Sequence, residues 1–219
     1  MMYIPTRLKK LIKKYLFIIQ RKKLIKQHHL SPKTKREARL WQYPEQIKWT
    51  ENQDYALYKL NDELNPFERQ EKEVLAAEYG VCQEIAALGG VVLDNGCGTG
   101  RCIDRIMQFP LCRVKKIIGV DIATEFLKRA AKKSIKGLYF DKIELHLASV
   151  DDLFFIPDHS VDFAIAMYRT FGNLPDEVKE KHLQEMKRIL KKNSYYVLSL
   201  ANRRFMSTIV GYYQRFSGA

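Results

Sequence analysis

The chain has 219 residues, which is enough for one core domain with an extension. Its 38 Lys and Arg residues exceed its 25 Asp and Glu residues by 13, but 12 of the basic residues and no acid fall within residues 1–36. The remainder is nearly neutral. This argues against an extended nucleic-acid groove on the core, because such grooves depend on clustered Lys and Arg.

The cysteines give no sign of a metal site or of a disulfide framework. They are Cys82, Cys97, Cys102 and Cys112. No two of them form a C-x-x-C pair, and no histidine lies at metal-ligand spacing from them. We therefore expect reduced thiols that pack in the interior of a cytoplasmic protein.

Residues 1–36 form a basic arm with an amphipathic helical pattern. Its apolar face comprises Leu8, Leu11, Ile12, Tyr15, Leu16 and Ile19. We expect residues 7–26 either to lie on an anionic membrane surface or to pack on the core with their lysines in water. Covering a ligand cleft and binding RNA are further alternatives. The longest apolar run, Tyr15–Ile19, is too short to span a bilayer.

Residues 37–87 are rich in aromatic side chains and then become helical. Trp41 and Trp49 lie in the aromatic part, which the pattern alone does not distinguish from a linker with hydrophobic anchors. Asn65 and Pro66 are typical of a helix start, with Asn as the cap and Pro in the first turn. We expect this helix to end near Gly80.

A glycine-rich turn follows the first strong strand signal. Val91–Leu93 is apolar and is followed by Asp94, and then Gly96, Gly98 and Gly100 alternate before a helical segment. Glycine adopts positive φ and lets a ligand approach the backbone, and the helix N-terminus favours a carboxylate or phosphate. The third glycine falls one residue early for a dinucleotide fingerprint, and no G-K-[ST] is present.

A second apolar strand, residues 117–121, ends in Asp121. An acid in this position can accept hydrogen bonds from both ribose hydroxyls of a nucleoside. The alternative is that Asp121 caps the helix predicted over residues 123–133. Ile122 offers an apolar face to a base.

Three further strands complete the predicted sheet. They cover residues 143–147, 162–167 and 195–200, and a helix over residues 176–192 precedes the last one. Ligands of open parallel sheets bind at the carboxyl ends of the strands, so the loop Tyr168–Pro175 should border the ligand.

The string Asp94–Gly100, with Asp121 and the stretch Ala148–Asp162, resembles the motifs of class I S-adenosylmethionine (SAM) methyltransferases. The resemblance covers about residues 88–202, half of the chain. It implies an α/β, Rossmann-like, doubly wound and mainly parallel sheet with strand order 3-2-1-4-5. It further implies an N-terminal helical extension and C-terminal strands that are short or missing. It carries no information on the acceptor.

The resemblance also implies a set of cofactor-binding residues. They are Asp94, Gly96, Cys97, Gly98, Gly100, Asp121, Ile122, Val150, Asp151 and Met167. The family acid that usually holds the adenine amino group is replaced here by Ser149. We expect Asp151 to substitute for it and the backbone N–H of Val150 to bind the adenine ring. The implied organisation is a basic arm (1–36), an extension that covers the cofactor (37–87) and a SAM-binding core (88–219).

Methyl transfer depends chiefly on aligning acceptor, methyl and sulfur. The candidates for a catalytic role are Tyr168 and Asn173, with Arg169 available to orient an acidic acceptor. The chain lacks the [DN]-P-P-[YF] motif of enzymes that methylate exocyclic base amines, and no Pro-Cys nucleophile follows the fourth strand. These absences favour a small-molecule, lipid or protein acceptor over a nucleobase.

The favoured function is SAM-dependent transfer of a methyl group to an N or O atom of a small-molecule or membrane-associated acceptor. One alternative is a degenerate SAM-binding subunit that needs a partner, which Ser149 and the 17 residues after Asn202 favour. A weaker alternative is an RNA methyltransferase that uses the basic arm. We expect a protein partner, a second copy or the arm to cover the edge at strand five. Localisation is expected to be cytoplasmic, with peripheral membrane association if the arm binds lipid.

Overall fold

The computed structural model describes residues 24–41, 66–137, 139–168 and 170–200. The strands are β1 (Ile25–Gln27), β2 (Gly90–Asn95), β3 (Val114–Asp121), β4 (Ile143–Leu147), β5 (Val161–Ala166) and β6 (Leu190–Leu198). The helices are α1 (Pro32–Leu40), α2 (Pro66–Leu88), α3 (Arg101–Gln108), α4 (Thr124–Lys136) and α5 (Asp176–Ile189). Short 3₁₀ turns cover Phe140–Lys142 and Phe171–Asn173.

The strands form one parallel sheet in the order β1-β4-β3-β2-β5-β6. The predicted order 3-2-1-4-5 corresponds to β4-β3-β2-β5-β6, so the Rossmann-like prediction is confirmed. Helices α3, α4 and α5 connect β2 to β3, β3 to β4 and β5 to β6, because parallel neighbours need crossover connections, whereas a loop over residues 148–160 joins β4 to β5.

Strand β1 is an addition at the β4 edge that the sequence pattern did not predict. Ile25 pairs with Leu145 and Gln27 with Leu147, and the neighbouring Leu24 is buried. Residues 25 and 26, which the amphipathic pattern assigned to the arm helix, therefore belong to the sheet. Residues 1–23 lie outside the described residues, and the proposed roles of the arm stay predictions.

The core has two layers because alternate residues of the central strands point to opposite faces of the sheet. Val92 and Ile117 join the cluster formed with α2, α3 and α4, whereas Leu93 and Ile118 join the cluster that contains α5. Each fully buried aliphatic side chain of this kind contributes roughly 1.5–3 kcal/mol. The four cysteines are free thiols, and three of them are buried.

Helix α2 continues beyond Gly80 to Leu88, so the predicted end near Gly80 is wrong. Leu75, Cys82 and Ile85 are buried along this helix, and their burial outweighs the cost of about 1 kcal/mol for a glycine in a helix interior. The helix stops at Gly89, which has φ +81° and donates its N–H to the carbonyl of Ile85 at 2.9 Å.

The boundary between α5 and β6 also differs from the prediction. Helix α5 ends at Ile189 and β6 begins at the next residue, where a turn over residues 192–194 was expected. The pairing with β5 shifts between Val161 and Phe163, and Asn193 has φ +63°. The predicted turn is thus a bulge within the strand. In the part of the chain that the structure describes, β6 pairs with β5 alone, so what covers this edge stays a prediction.

A histidine pair joins the edge strand β1 to β4, with His146 buried and His28 partly buried. His28 Nε2 and His146 Nδ1 are 2.8 Å apart, and both rings stack on Phe155 with centroids 4.1 Å away. His146 is 3% exposed, and this burial lowers its pKa to about 4. The pair therefore joins β1 to the sheet in its neutral form.

None of the helices among the described residues combines the length and the apolar character that crossing a membrane requires.

We expect Gly80→Ala to raise the free energy of unfolding by about 0.5–1 kcal/mol, because alanine loses less conformational entropy in a helix. A Cβ at this position would meet no atom within 4 Å. Urea denaturation provides the measurement. Gly100→Ala is the contrasting variant and should destabilise, since Gly100 has φ +76° and its Cβ would lie 2.9 Å from that of Ala130. A loss of stability in Gly80→Ala would contradict this account of α2.

Stability should also depend on pH through His146. Its folded-state pKa of about 4 lies below the ordinary 6.5, so between these values the unfolded chain binds more protons. The stabilisation is present above about pH 6.5 and is lost as the pH falls towards 4. We expect His146→Gln to reduce the difference in unfolding free energy between pH 7.5 and 5.0 by about 2 kcal/mol. Exposed His29→Gln is the control, and equal pH dependence in both variants would refute the assignment.

Candidate active site

A cavity of about 550 Å³ opens at the carboxyl ends of β2, β3, β4 and β5. Of the predicted site residues, the cavity is lined by Asp94, Gly96, Cys97, Gly98, Asp121, Ile122, Val150, Met167, Tyr168 and Asn173. Gly100 and Asp151 lie outside this lining. The topology thus brings most of the predicted residues together, because every parallel strand ends at the same edge of the sheet.

The glycine turn after β2 adopts backbone conformations that side chains disfavour. Gly96, Gly98 and Gly100 have φ of 67°, 53° and 76°. A Cβ on Gly96 would lie 2.3 Å from Thr170 Cγ2, so this glycine also permits close approach of the loop after β5. Gly100 serves the turn and packs on Ala130, and it is not among the lining residues, so its predicted contact with the cofactor stays a prediction.

Asp121 connects the glycine turn to the loop after β3. Its Oδ2 accepts the N–H of Gly98 at 2.8 Å, and its Oδ1 accepts the N–H of Ala123 at 2.8 Å. The N-cap position of α4 belongs to Ala123, so Asp121 holds the preceding loop and does not cap the helix. Burial raises the pKa of Asp121 to about 6, against the opposing effect of these hydrogen bonds. Each carboxylate oxygen keeps a further lone pair for a ligand.

Asp94 presents an unsatisfied acceptor to the cavity. The residue is 2% exposed, and its Oδ2 has no hydrogen-bond partner among the described residues. Burial raises the pKa of Asp94 well above its usual range. Buried polar atoms are nearly always hydrogen-bonded, so an orphaned oxygen that lines a cavity fits a ligand that brings a donor.

The loop after β4 supplies one wall of the cavity. Ser149 and Val150 line it, whereas Asp151 lies behind Ser149 and accepts its hydroxyl hydrogen bond. The carbonyl of Val150 is 2.9 Å from Nδ1 of His182, a buried residue of α5. Since a carbonyl only accepts, Nδ1 is the donor. Sequence reasoning treated His182 as solvated or packed and missed this support of the loop.

A buried ion pair supports the loop after β5. Glu78 of α2 is 3% exposed, and its carboxylate contacts Arg101 Nη2 at 2.5 Å and accepts the N–H of Tyr168 at 2.8 Å. Burial raises the pKa of Glu78, although Arg101 opposes this shift. The guanidinium also lies 4.7 Å from the Tyr168 ring centroid. These contacts hold Tyr168 at φ +53°, a conformation that costs energy for a residue with a side chain.

Helix α1 forms the roof of the cavity. Thr34, Glu37, Leu40 and Trp41 contribute to the lining. Lys33 forms an ion pair with Glu177 at the start of α5, and the Trp41 ring packs on Phe126 of α4 with centroids 6.5 Å apart. Residues 42–65 lie outside the described residues, so the predicted cover over residues 37–87 stays a prediction beyond Trp41.

Comparisons with known proteins agree with this geometry. Residues 92–193 match a family model described as a methyltransferase domain. The biotin biosynthesis bifunctional protein BioHC of Teredinibacter turnerae is 35% identical over 119 residues, which are 52% of this chain and 20% of that protein. The chain thus matches only a fifth of the length of this relative.

Two solved structures share the fold over most of the chain. Geranyl diphosphate C-methyltransferase from Streptomyces coelicolor, in complex with Mg²⁺, geranyl-S-thiolodiphosphate and S-adenosylhomocysteine (SAH), has a TM-score of 0.59 at 14% identity. The match covers 84% of this chain and 74% of that one. A putative SAM-dependent methyltransferase from Methanococcus maripaludis has a TM-score of 0.52 at 15% identity, covering 86% and 74%.

The resemblance predicted over residues 88–202 is therefore confirmed over residues 92–193, and the shared fold extends to most of the chain. Residues 92–193 are thus similar to a methyltransferase domain, and the chain shares its fold with solved SAM-dependent methyltransferases.

Proposed function

We propose that the chain is an active SAM-dependent methyltransferase that transfers a methyl group to an N or O atom of a small-molecule acceptor. The observation that carries the proposal is the arrangement of Asp94, the glycine turn and Asp121 around one cavity. Within this arrangement, Asp94 Oδ2 has no hydrogen-bond partner among the described residues, which favours a ligand that carries a hydrogen-bond donor.

The residues present fit SAM in three places. The remaining lone pairs of Asp121 would accept the two ribose hydroxyls. Ile122 and the backbone of Val150 would hold the adenine, and Asp94 would accept from the amino group of the methionine part. Because Ser149 replaces the acid that the family usually has, the part of the cavity that would hold the adenine has one carboxylate fewer. Asp151 contacts this part only through its hydrogen bond with the Ser149 hydroxyl.

SAM, when bound, supplies a methyl group that is already activated by its sulfonium. The task of the protein is therefore alignment and exclusion of water. Met167, Tyr168 and Asn173 line the cavity at the end of β5, where the acceptor would approach. Glu78 and Arg101 would keep Tyr168 in its strained conformation and so define this wall. An acceptor with a hydroxyl would also need a proton acceptor.

Two features bear on the alternatives. Ser149 favours a degenerate SAM-binding subunit, which would bind SAM but give no product with any acceptor in a broad screen.

The 12 basic residues of the segment 1–36 support an anionic membrane surface or, more weakly, RNA as a partner. Vesicles with and without anionic lipid would distinguish membrane binding from RNA binding, using the full chain and a chain lacking residues 1–36.

We expect Asp121→Asn to weaken SAM and SAH binding about 10- to 100-fold, because hydrogen bonds to a charged acceptor contribute about 1.5–3 kcal/mol. Isothermal titration calorimetry provides the dissociation constants. Exposed Asp141→Asn is the matched control and should bind as the unsubstituted chain does. Unchanged affinity in a folded Asp121→Asn protein would contradict the assigned role. Absence of SAM binding by the unsubstituted chain would overturn the proposed function.

SAM affinity should also fall at low pH. Because the pKa of Asp121 is about 6, the carboxyl is ionised at pH 7 and mostly protonated at pH 5. Ribose hydroxyls donate to the ionised form, so we expect the association constant to fall about tenfold between pH 7 and pH 5. Asp121→Asn should lose this component of the pH profile. The same profile in both proteins would show that another group is responsible.

A further inference from the structure

The roof of the cavity carries a carboxylate that the cofactor roles above leave unused. Glu37 lines the cavity from α1. Among the described residues no ion pair or hydrogen bond involves it. The hydrogen bond and the charge of Glu177 raise the pKa of Lys33, and the charge of Glu37 is the smallest contribution, so the Lys33 ammonium group is paired with Glu177 and not with Glu37. The cavity is a ligand site on independent grounds, since the buried Asp94 Oδ2 that lines it has no partner.

The contacts of α1 place Glu37 over the middle of the cleft. Lys33 reaches the start of α5, which follows β5, and Trp41 packs on Phe126 of α4, which follows β3. Glu37 lies four residues from each of these contacts, one helical turn away, and so on the same face of the helix. Strand β2 lies between β3 and β5 in the sheet. We infer from this position that the Glu37 carboxylate faces the carboxyl end of β2, where the glycine turn begins.

The charge of the lining opposes an anionic acceptor. Glu37, Asp94 and Asp121 contribute carboxyl groups. Of the lining residues that the structure describes, Arg101 is the one with a cationic side chain, and Glu78 pairs with it. An anionic acceptor would meet the carboxylates of Glu37 and Asp121 and, among the described lining residues, no cationic side chain other than the paired Arg101, which disfavours its binding.

Aromatic and aliphatic side chains line the same cavity as this carboxylate. Trp41 and Phe126 both line the cavity, and their rings lie tilted at 58° to one another. Aromatic faces attract organic cations, most strongly where water is excluded. Leu40, Leu174 and Val178 add apolar surface that would suit the carbon skeleton of an acceptor.

We propose that Glu37, with Trp41 and Phe126, forms a subsite that recognises an organic ammonium group, so that the methyl acceptor belongs to the class of amines with an apolar body. The inference rests on the proposed methyltransferase function and names the substrate class of the same cavity. Glu37 binds the ammonium group by charge and hydrogen bonding, and the two rings enclose it. Transfer of a methyl group to this same nitrogen would require the ammonium to give its proton to the Glu37 carboxylate first, because only the neutral amine has a lone pair. Anions such as carboxylates and diphosphates are excluded.

The test compares two probes that share a body and differ in charge, 2-phenylethylamine and 3-phenylpropionate. Binding is measured by calorimetry on the full chain, both free and loaded with SAH. We expect the amine to bind and the carboxylate to fail at the same concentration. Glu37→Gln should weaken amine binding about tenfold while leaving the SAH dissociation constant unchanged. Exposed Glu180→Gln, an acid of α5 outside the cavity lining, is the control and should change neither.

Equal binding of both probes, or amine binding that Glu37→Gln leaves unchanged, would overturn the subsite. Failure of the amine to bind at millimolar concentration would do the same. A loss of SAH affinity in Glu37→Gln would assign the carboxylate to the cofactor and likewise end the proposal. Failure of SAH to bind the unsubstituted chain would instead remove the proposed function, and the probe measurements on the free chain would still decide the subsite.

Discussion

The carboxylate of Asp121 is the contact on which the geometry of the cavity depends. It accepts one N–H from the turn after β2 and one from the loop after β3, so it joins two crossovers of the sheet. The backbone N–H groups of Gly96 and Cys97 donate to the carbonyl of Val120 and strengthen the same junction. The glycine turn therefore has a defined shape before any ligand arrives, which reduces the ordering cost of binding.

The remaining walls depend on buried polar groups that are satisfied by the protein itself. The charges of Glu78 and Arg101 neutralise each other, and Glu78 also accepts the N–H of Tyr168 in the loop after β5. His182 donates a hydrogen bond to the carbonyl of Val150 in the loop after β4. Removing one partner of such a pair leaves an uncompensated buried group, which is strongly destabilising. Asp94 Oδ2 and Thr99 Oγ1 differ, because both are buried in lining residues and have no hydrogen-bond partner among the described residues, and a bound ligand would supply a donor to Asp94.

Predictions from the sequence succeeded where local pattern and chain order are sufficient. Apolar runs and helical spacing located β2 to β6, and the resemblance to class I methyltransferases implied a mainly parallel sheet with its central order. Boundaries were less accurate, because Gly80 and Lys192–Ser194 carry turn residues that burial and strand pairing override. Of the predicted cofactor residues, Gly100 and Asp151 lie outside the cavity since spacing along the chain does not report which way a residue faces.

The sequence by itself determined the similarity to methyltransferase domains, the glycine turn and the acid at the end of the second predicted strand, because these depend on residues adjacent in the chain. Only the tertiary structure decided that β1 extends the sheet and that α1 roofs the cavity. It also decided that Glu78 meets Arg101 and that Glu37 is left without an ion-pair partner in the described part of the chain. These contacts join residues far apart in sequence, and local propensity and periodicity contain no information on such pairings.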